Sequence, residues 1–111
     1  MKRYYRKLIR DNIPYIMDEK SVEYETTVVL GEEYRLELKR KLVEESEEVS
    51  HVNTKGELID ELADVLEVVR AFQKEYEIDD QLLSQKVQDR LEKKGGFSKK
   101  IFLIWSEDKE E

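Results

Sequence analysis

Four acidic side chains occupy helix positions where apolar residues are expected, and their spacing suits metal binding. In KLVEESEEVS, residues 41–50, Glu45 falls near the centre of the apolar stripe of a predicted helix. Glu48 lies three residues further on, so it is a neighbour of Glu45 on one face. Glu61 and Asp64 have the same spacing on the next predicted helix and share a stripe with apolar residues. Carboxylate oxygens are ligands that suit Mg²⁺, with Mn²⁺ a close alternative.

Carboxylates gathered on apolar faces repel one another. Each close pair costs about 1 kcal/mol in water and about 4 kcal/mol at an effective dielectric constant of 20. Protonation of the acids or a bound divalent cation would relieve this repulsion. However, the chain has 27 acidic residues among 111, so acidic pairs three residues apart also occur by chance. The spacing alone therefore leaves both a metal site and a solvated charge run open, with Glu47 expected on the outward side.

Two helices joined by a short turn would bring the four acids together. A stripe at steps of four and three, from Tyr34 to Val52, predicts the first helix, with Glu32 and Glu33 at its positive end and HVNTKGE as the break after it. Thr54, with Glu57 three residues later, is a capping box that predicts a second helix over about residues 55–76. Because the connection is short, the two helices are expected to pack as an antiparallel pair.

The remaining segments complete an expected all-α fold, an antiparallel helix bundle with one small addition. A short helix is predicted in RDNIPYIMDE, and a further helix is expected from Asp79 or Asp80 to the sequence KKGG. The segments 22–30 and 99–106 are rich in β-branched and other apolar residues. They could pair as a small two-stranded β element supported by the helices.

Length, charge and composition narrow the class of protein. A chain of 111 residues is expected to form one domain, 1–111, with residues 106–111 as a frayed acidic tail. A net charge of −7 argues against binding to a nucleic-acid polymer, and the lack of cysteine rules out disulfides and thiolate metal sites. No apolar run approaches the length of a membrane span, so a cytoplasmic protein that does not bind membranes is expected.

Three landmarks in this sequence resemble the MazG-like all-α nucleotide pyrophosphohydrolases. EESEE, followed after twelve residues by ELAD, is similar to the pattern E-E-x-x-E…E-x-x-D of that family. KLIRDNIPYI is similar to the KLVRDKIPEII opening of a small-protein branch, and KKGGF is similar to its RGGF ending. Asn12 and Lys94 depart from the usual Lys and Arg. The resemblance covers nearly the whole chain.

The resemblance implies Mg²⁺-dependent hydrolysis of a nucleoside triphosphate, NTP or dNTP, to a monophosphate and pyrophosphate. Glu45, Glu48, Glu61 and Asp64 would hold the metal, and Glu44 or one of the ligand glutamates would orient or deprotonate the attacking water. The candidate catalytic residues are therefore Glu44, Glu45 and Glu48.

Basic residues are needed to hold the polyphosphate, and the candidates are Lys7, Arg10, Lys41 and Lys94. Each also has a simpler interpretation. Lys7 and Arg10 could be solvated charges, and Lys94 could complement the end of a helix dipole. Lys41 lies one turn before Glu45, so it could instead serve only to reduce repulsion among the nearby carboxylates.

Two other functions remain open on the sequence. A related enzyme of the same fold acts on phosphoribosyl-ATP, and a helical protein without catalysis could use the same surface to bind a partner. Apolar residues on several helix faces cannot all be buried in one small chain, so a homodimer or homotetramer is expected in every case.

Overall fold

The computed structural model describes residues 1–109, and this part of the chain is helical without strands. Its helices are α1 (Ile13–Glu19), α2 (Gly31–Val49), α3 (Lys55–Glu75) and α4 (Asp80–Lys94). The all-α prediction is thereby confirmed. No helix in the described range is long and apolar enough to span a bilayer.

α2 and α3 pack against each other as an antiparallel pair. At one end, Arg35 Nε near the start of α2 donates to Glu75 Oε2 at the end of α3 over 2.9 Å. Between the helices, Leu38 and Val68 are 3% and 7% exposed and are the buried apolar residues of the described chain. The turn joining the helices places the second half of α2 beside the first half of α3, which is where the acidic motifs lie.

The starts of α3 and α4 are fixed by side-chain caps. Thr54 Oγ1 accepts the backbone N–H of Glu57 and donates to its carboxylate. Asp79 Oδ1 accepts the N–H of Leu82 over 2.7 Å, which resolves the choice between Asp79 and Asp80 in favour of the first. α4 ends at Gly95, whose φ of 81° is accessible to glycine at little cost. Both caps and this helix end agree with the sequence prediction.

The two segments predicted as strands are not strands within residues 1–109. Residues 22–30 and 101–109 carry no regular secondary structure, so the predicted β element is not confirmed. The predicted tail, 106–111, has no regular structure up to residue 109, and its last two residues lie outside the described range.

Contacts divide the chain into two compact units, 1–78 and a second that begins at Asp79. The first unit contains α1, α2 and α3, and the second contains α4 with the C-terminal segment. The acidic motifs and the N-terminal basic motif all belong to the first unit. The single-domain prediction over 1–111 stays a prediction.

Candidate metal centre

Three of the four predicted metal ligands meet between α2 and α3. Glu45, Glu61 and Asp64 each offer a carboxylate oxygen, and these oxygens lie within 4.8 Å of one another. Opposite ligands of Mg²⁺ are about 4.2 Å apart, because each lies at about 2.1 Å from the ion. Small rotations of partly exposed side chains would cover this difference, so the set fits a hard divalent cation.

Glu48 lies outside this cluster and is exposed at the surface of α2. Its charge still acts on the cluster. Partial burial and the nearby charges of Asp64 and Glu48 raise the pKa of Glu61. The role of Glu48 as a ligand therefore stays a prediction, while Glu47 is exposed on the outward side as expected.

The N-terminal basic motif lies directly against the acidic cluster. Lys7 Nζ donates to Glu44 Oε1 over 2.6 Å, and Arg10 Nη2 donates to Asp64 Oδ1 over 2.7 Å. These pairs join residues that are 37 and 54 positions apart in the sequence. Two of the basic residues predicted to bind phosphate are thus located beside the carboxylates predicted to bind metal.

Lys41 contacts two carboxylates of its own helix. Its Nζ lies 3.3 Å from Glu44 Oε2 and 3.3 Å from Glu45 Oε1. The side chains of Lys41 and Glu45 are only 16% and 14% exposed, so this pair is shielded from water more than the other contacts of the site. Lys41 therefore reduces repulsion within the cluster, and the same position leaves it near any phosphate that reaches the site.

Glu44 is held in its ionised form. Partial burial opposes ionisation, but hydrogen bonds from Lys7 and Lys41 outweigh it and lower the pKa of Glu44. The contacts of Glu44 with Lys7 and Lys41 stabilise the folded protein at pH values above the pKa that Glu44 has in the unfolded chain. This stabilisation is lost as the pH falls through the lowered pKa of Glu44 in the folded protein. Glu44 is consequently a fixed negative charge at neutral pH.

The charges of the site do not balance. Glu44, Glu45 and Asp64 have cationic partners in Lys7, Lys41 and Arg10. Within residues 1–109, no ion pair includes Glu61. An additional cation would therefore interact most favourably beside Glu61, at the centre of the carboxylates that raise its pKa.

We expect Glu61→Gln to stabilise the metal-free protein slightly near neutral pH. The pKa of Glu61 is raised on folding, so its ionisation opposes folding once the pH exceeds the unfolded value of about 4.3. The greater stability of the variant should be present at pH 7 and should disappear below the unfolded pKa of about 4.3. Thermal unfolding across this range measures it. Glu67→Gln, on the exposed side of α3, is the matched control. A stabilisation by Glu61→Gln that grows as the pH falls would contradict a raised pKa of Glu61.

Lys94 lies in the last turn of α4 with Lys93, where both complement the helix dipole. It belongs to the second unit, so its role in phosphate binding stays a prediction. On the sequence, one of Tyr4, Tyr5 or Tyr34 could line a base pocket, although core or interface packing is favoured for them. The ring centroid of Tyr5 lies 5.6 Å from Lys7 Nζ, a contact that the sequence did not predict.

Comparison with protein-family profiles, curated proteins and solved structures gave no significant match to this chain. The likeness to MazG-like enzymes therefore rests on the three sequence landmarks alone.

Proposed function

We propose that this chain is a Mg²⁺-dependent nucleoside triphosphate pyrophosphohydrolase of the MazG-like type. The main support is one observation: acids from two separate motifs and bases from a third meet at one place. Glu45, Glu61 and Asp64 form the acidic cluster. Arg10 contacts Asp64 of this cluster, and Lys7 contacts Glu44, which is adjacent to Glu45 in the sequence. A solvated charge run does not require contacts such as Lys7–Glu44 and Arg10–Asp64, which join residues 37 and 54 positions apart in the sequence.

The proposed metal ligands are Glu45, Glu48, Glu61 and Asp64, and the proposed ion is Mg²⁺ or Mn²⁺. Such an ion screens phosphate charge and lowers the pKa of bound water. The three clustered carboxylates, Glu45, Glu61 and Asp64, come from two helices that pack around Leu38 and Val68, which supports the proposal. The rigid elements thus position the ligands, as a metal site requires.

Glu44 is proposed to orient the attacking water rather than to deprotonate it. A carboxylate with a lowered pKa is a weak base, but it remains a good hydrogen-bond acceptor. Lys7 and Lys41 fix its orientation from two sides. Hydrolysis would break the bond between the α-phosphorus and its bridging oxygen, releasing a monophosphate and pyrophosphate.

Arg10 and Lys7 are proposed to exchange their carboxylate partners for phosphate oxygens. Their ion pairs are substantially exposed, and pairs of that kind contribute about 0.2–1 kcal/mol each. A bidentate contact between an arginine and a phosphate is stronger than such a pair. When a cation neutralises Asp64, Arg10 loses its partner and becomes available to the substrate.

We therefore expect Arg10→Ala to raise the KM for a nucleoside triphosphate by about 10- to 100-fold, since a hydrogen bond to a charged group contributes about 1.5–3 kcal/mol. Steady-state kinetics at saturating Mg²⁺ measure the change. Arg35→Ala is the matched control, because Arg35 pairs with Glu75 at the other end of the helix pair. Equal effects of the two substitutions would show that Arg10 acts only through general stability or charge.

A panel of substrates separates the proposed activity from its alternatives. The protein is incubated with each NTP and dNTP, and separately with phosphoribosyl-ATP, in the presence of Mg²⁺, and pyrophosphate is measured. Release from the triphosphates supports the proposal. Release from phosphoribosyl-ATP alone would select the related reaction, and no release from any of them would leave a partner-binding protein.

We further propose that the active form is a homodimer or homotetramer. On α3, Ile59, Leu62 and Leu66 follow one another at steps of three and four and are each about half exposed. Two α2–α3 pairs joined along this stripe would form a four-helix bundle with a shared core.

A further inference from the structure

Tyr5 presents an exposed aromatic ring within the N-terminal basic segment. The residue is 59% exposed, so a planar molecule can reach the ring from solution. Arg3 Cζ lies 5.0 Å from the ring centroid, and Lys7 Nζ lies 5.6 Å from it. Both distances are within the range of cation–π contacts. Proteins stack nucleobases on aromatic rings of this kind, beside cations that hold the phosphates.

The ring is linked to the candidate metal centre through one atom. Lys7 Nζ contacts the ring of Tyr5 and also donates to Glu44 Oε1. The ring centroid can therefore be no further from this oxygen than the two contact distances, 5.6 Å and 2.6 Å, placed end to end. In a nucleotide, a single ribose separates the base from the α-phosphate. A base on Tyr5 would thus leave the α-phosphate near Lys7 and Glu44.

The other two tyrosines considered for a base pocket lie differently. The ring centroid of Tyr4 is 5.4 Å from Arg6 Cζ. Within residues 1–109, no ion pair joins Arg6 to α2 or α3. Tyr34 lies on α2 about 16 Å before Glu45 along the helix axis. The contacts therefore favour Tyr5 over both.

We propose that Tyr5 is the stacking surface for the nucleobase of the substrate and makes the site selective for nucleoside triphosphates over inorganic polyphosphates. The inference rests on the proposed function and deepens it, because it identifies what holds the end of the substrate remote from the metal. The base takes the place of the Arg3 guanidinium, which is also planar. A stacked base contributes more to binding than an exposed cation–π contact, so the exchange is favourable. Lys7 holds the phosphates of the same nucleotide.

Two ligands that resist cleavage test the inference by binding alone. One is α,β-methylene-ATP, and the other is bis-methylene triphosphate, which carries three phosphorus atoms but no sugar or base. Calorimetry with Mg²⁺ measures the Kd of each for the full-length protein. Tyr5→Leu should raise the Kd of α,β-methylene-ATP about tenfold, because a stacked base is lost. It should change the Kd of the base-free ligand less than about twofold. Tyr5→Phe keeps the ring and should bind both ligands like the wild-type protein.

Proton NMR of the bound nucleotide separates stacking from an indirect effect on the fold. Protons of a base that lies over an aromatic ring shift upfield because of the ring current. The adenine protons should show this shift with the wild-type protein and with Tyr5→Phe, but not with Tyr5→Leu. Tyr15→Leu is the matched control, since Tyr15 is an exposed tyrosine of α1, and it should leave the shift and both affinities unchanged. Circular dichroism checks that the variants keep their helices.

Three results would overturn the inference. One is an equal loss of affinity for the two ligands in Tyr5→Leu, which would mean that the ring only positions Lys7. Another is an unchanged Kd of α,β-methylene-ATP in Tyr5→Leu, which would pass the role to another residue. The third is a wild-type protein that binds α,β-methylene-ATP no more tightly than the base-free ligand.

Pyrophosphate release from natural nucleotides is measured separately, so the inference and the proposed activity fail separately. Release by the wild-type protein, with normal nucleotide binding by Tyr5→Leu, would reject the stacking alone. A selective loss of nucleotide affinity in Tyr5→Leu, without release by the wild-type protein, would support the stacking and reject the activity.

Discussion

Glu45→Gln is expected to lower Mg²⁺-dependent release of pyrophosphate about 1,000-fold, because stabilisation of phosphate charge by a metal is worth several kcal/mol. The substitution keeps the size of the side chain and removes its charge. Glu45 is 14% exposed, against 38% for Asp64, and it is the acid of α2 that meets Glu61 and Asp64 of α3. The helices should remain folded, since the neutral amide relieves repulsion and Leu38 and Val68 are untouched.

Glu47→Gln is the matched control on the same helix. Glu47 is exposed on the outward side, so its loss should change the rate less than about twofold, in keeping with a surface substitution remote from the site. Both variants are assayed at saturating Mg²⁺ and across a Mg²⁺ titration, with circular dichroism to confirm helix content. If Glu47 proved as important as Glu45, the face of α2 assigned to the metal would be wrong.

Leu66→Glu is expected to dissociate the oligomer and to remove most of its thermal stability. Leu66 is the last residue of the exposed stripe Ile59, Leu62 and Leu66, and it lies near the middle of α3. Placing an ionised carboxylate in a packed helix interface is costly, because the charge loses its water without gaining a partner. A single chain with so little buried apolar surface has few other interactions to hold it, so assembly and folding should be lost together.

Light scattering and thermal unfolding at several protein concentrations test this prediction. The control is Lys74→Glu, which changes the charge of α3 by more than Leu66→Glu but lies on the exposed side away from the stripe. It should leave the mass unchanged. A wild-type protein that is monomeric at high concentration, with a melting temperature independent of concentration, would contradict the proposed assembly.

The helices could be predicted from the sequence because their signals are local. The caps at Thr54 and Asp79 and the glycine at the end of α4 lie within one turn of the helix ends that they determine. The outward position of Glu47 follows from helix periodicity in the same way. The prediction that α2 and α3 form an antiparallel pair depended on a short turn and is also confirmed.

The contacts of the site could be predicted only in part. Glu45, Glu61 and Asp64 lie on facing stripes, so their meeting follows from helix phase. Glu48 lies about 60° from the stripe centre at 100° per residue, which is enough to leave it exposed outside the cluster. The pairing of Arg10 with Asp64 depends on the path of the chain before α1, and no periodic pattern encodes that path.

The two apolar segments illustrate a different limit. Their composition predicts strands, but a strand needs a partner, and composition does not say which chain provides it. Within the described residues neither segment is paired.

The central claim is that the cluster of Glu45, Glu61 and Asp64, with a divalent cation, cleaves a triphosphate between its α- and β-phosphates. Phosphorus NMR of a nucleoside triphosphate incubated with the protein and Mg²⁺ tests it most directly, with a chelator and Glu45→Gln as controls. The expected spectrum contains the signals of a nucleoside monophosphate and pyrophosphate in equal amounts, and both are absent from the controls. A nucleoside diphosphate with inorganic phosphate, or equal turnover by Glu45→Gln, would contradict the claim.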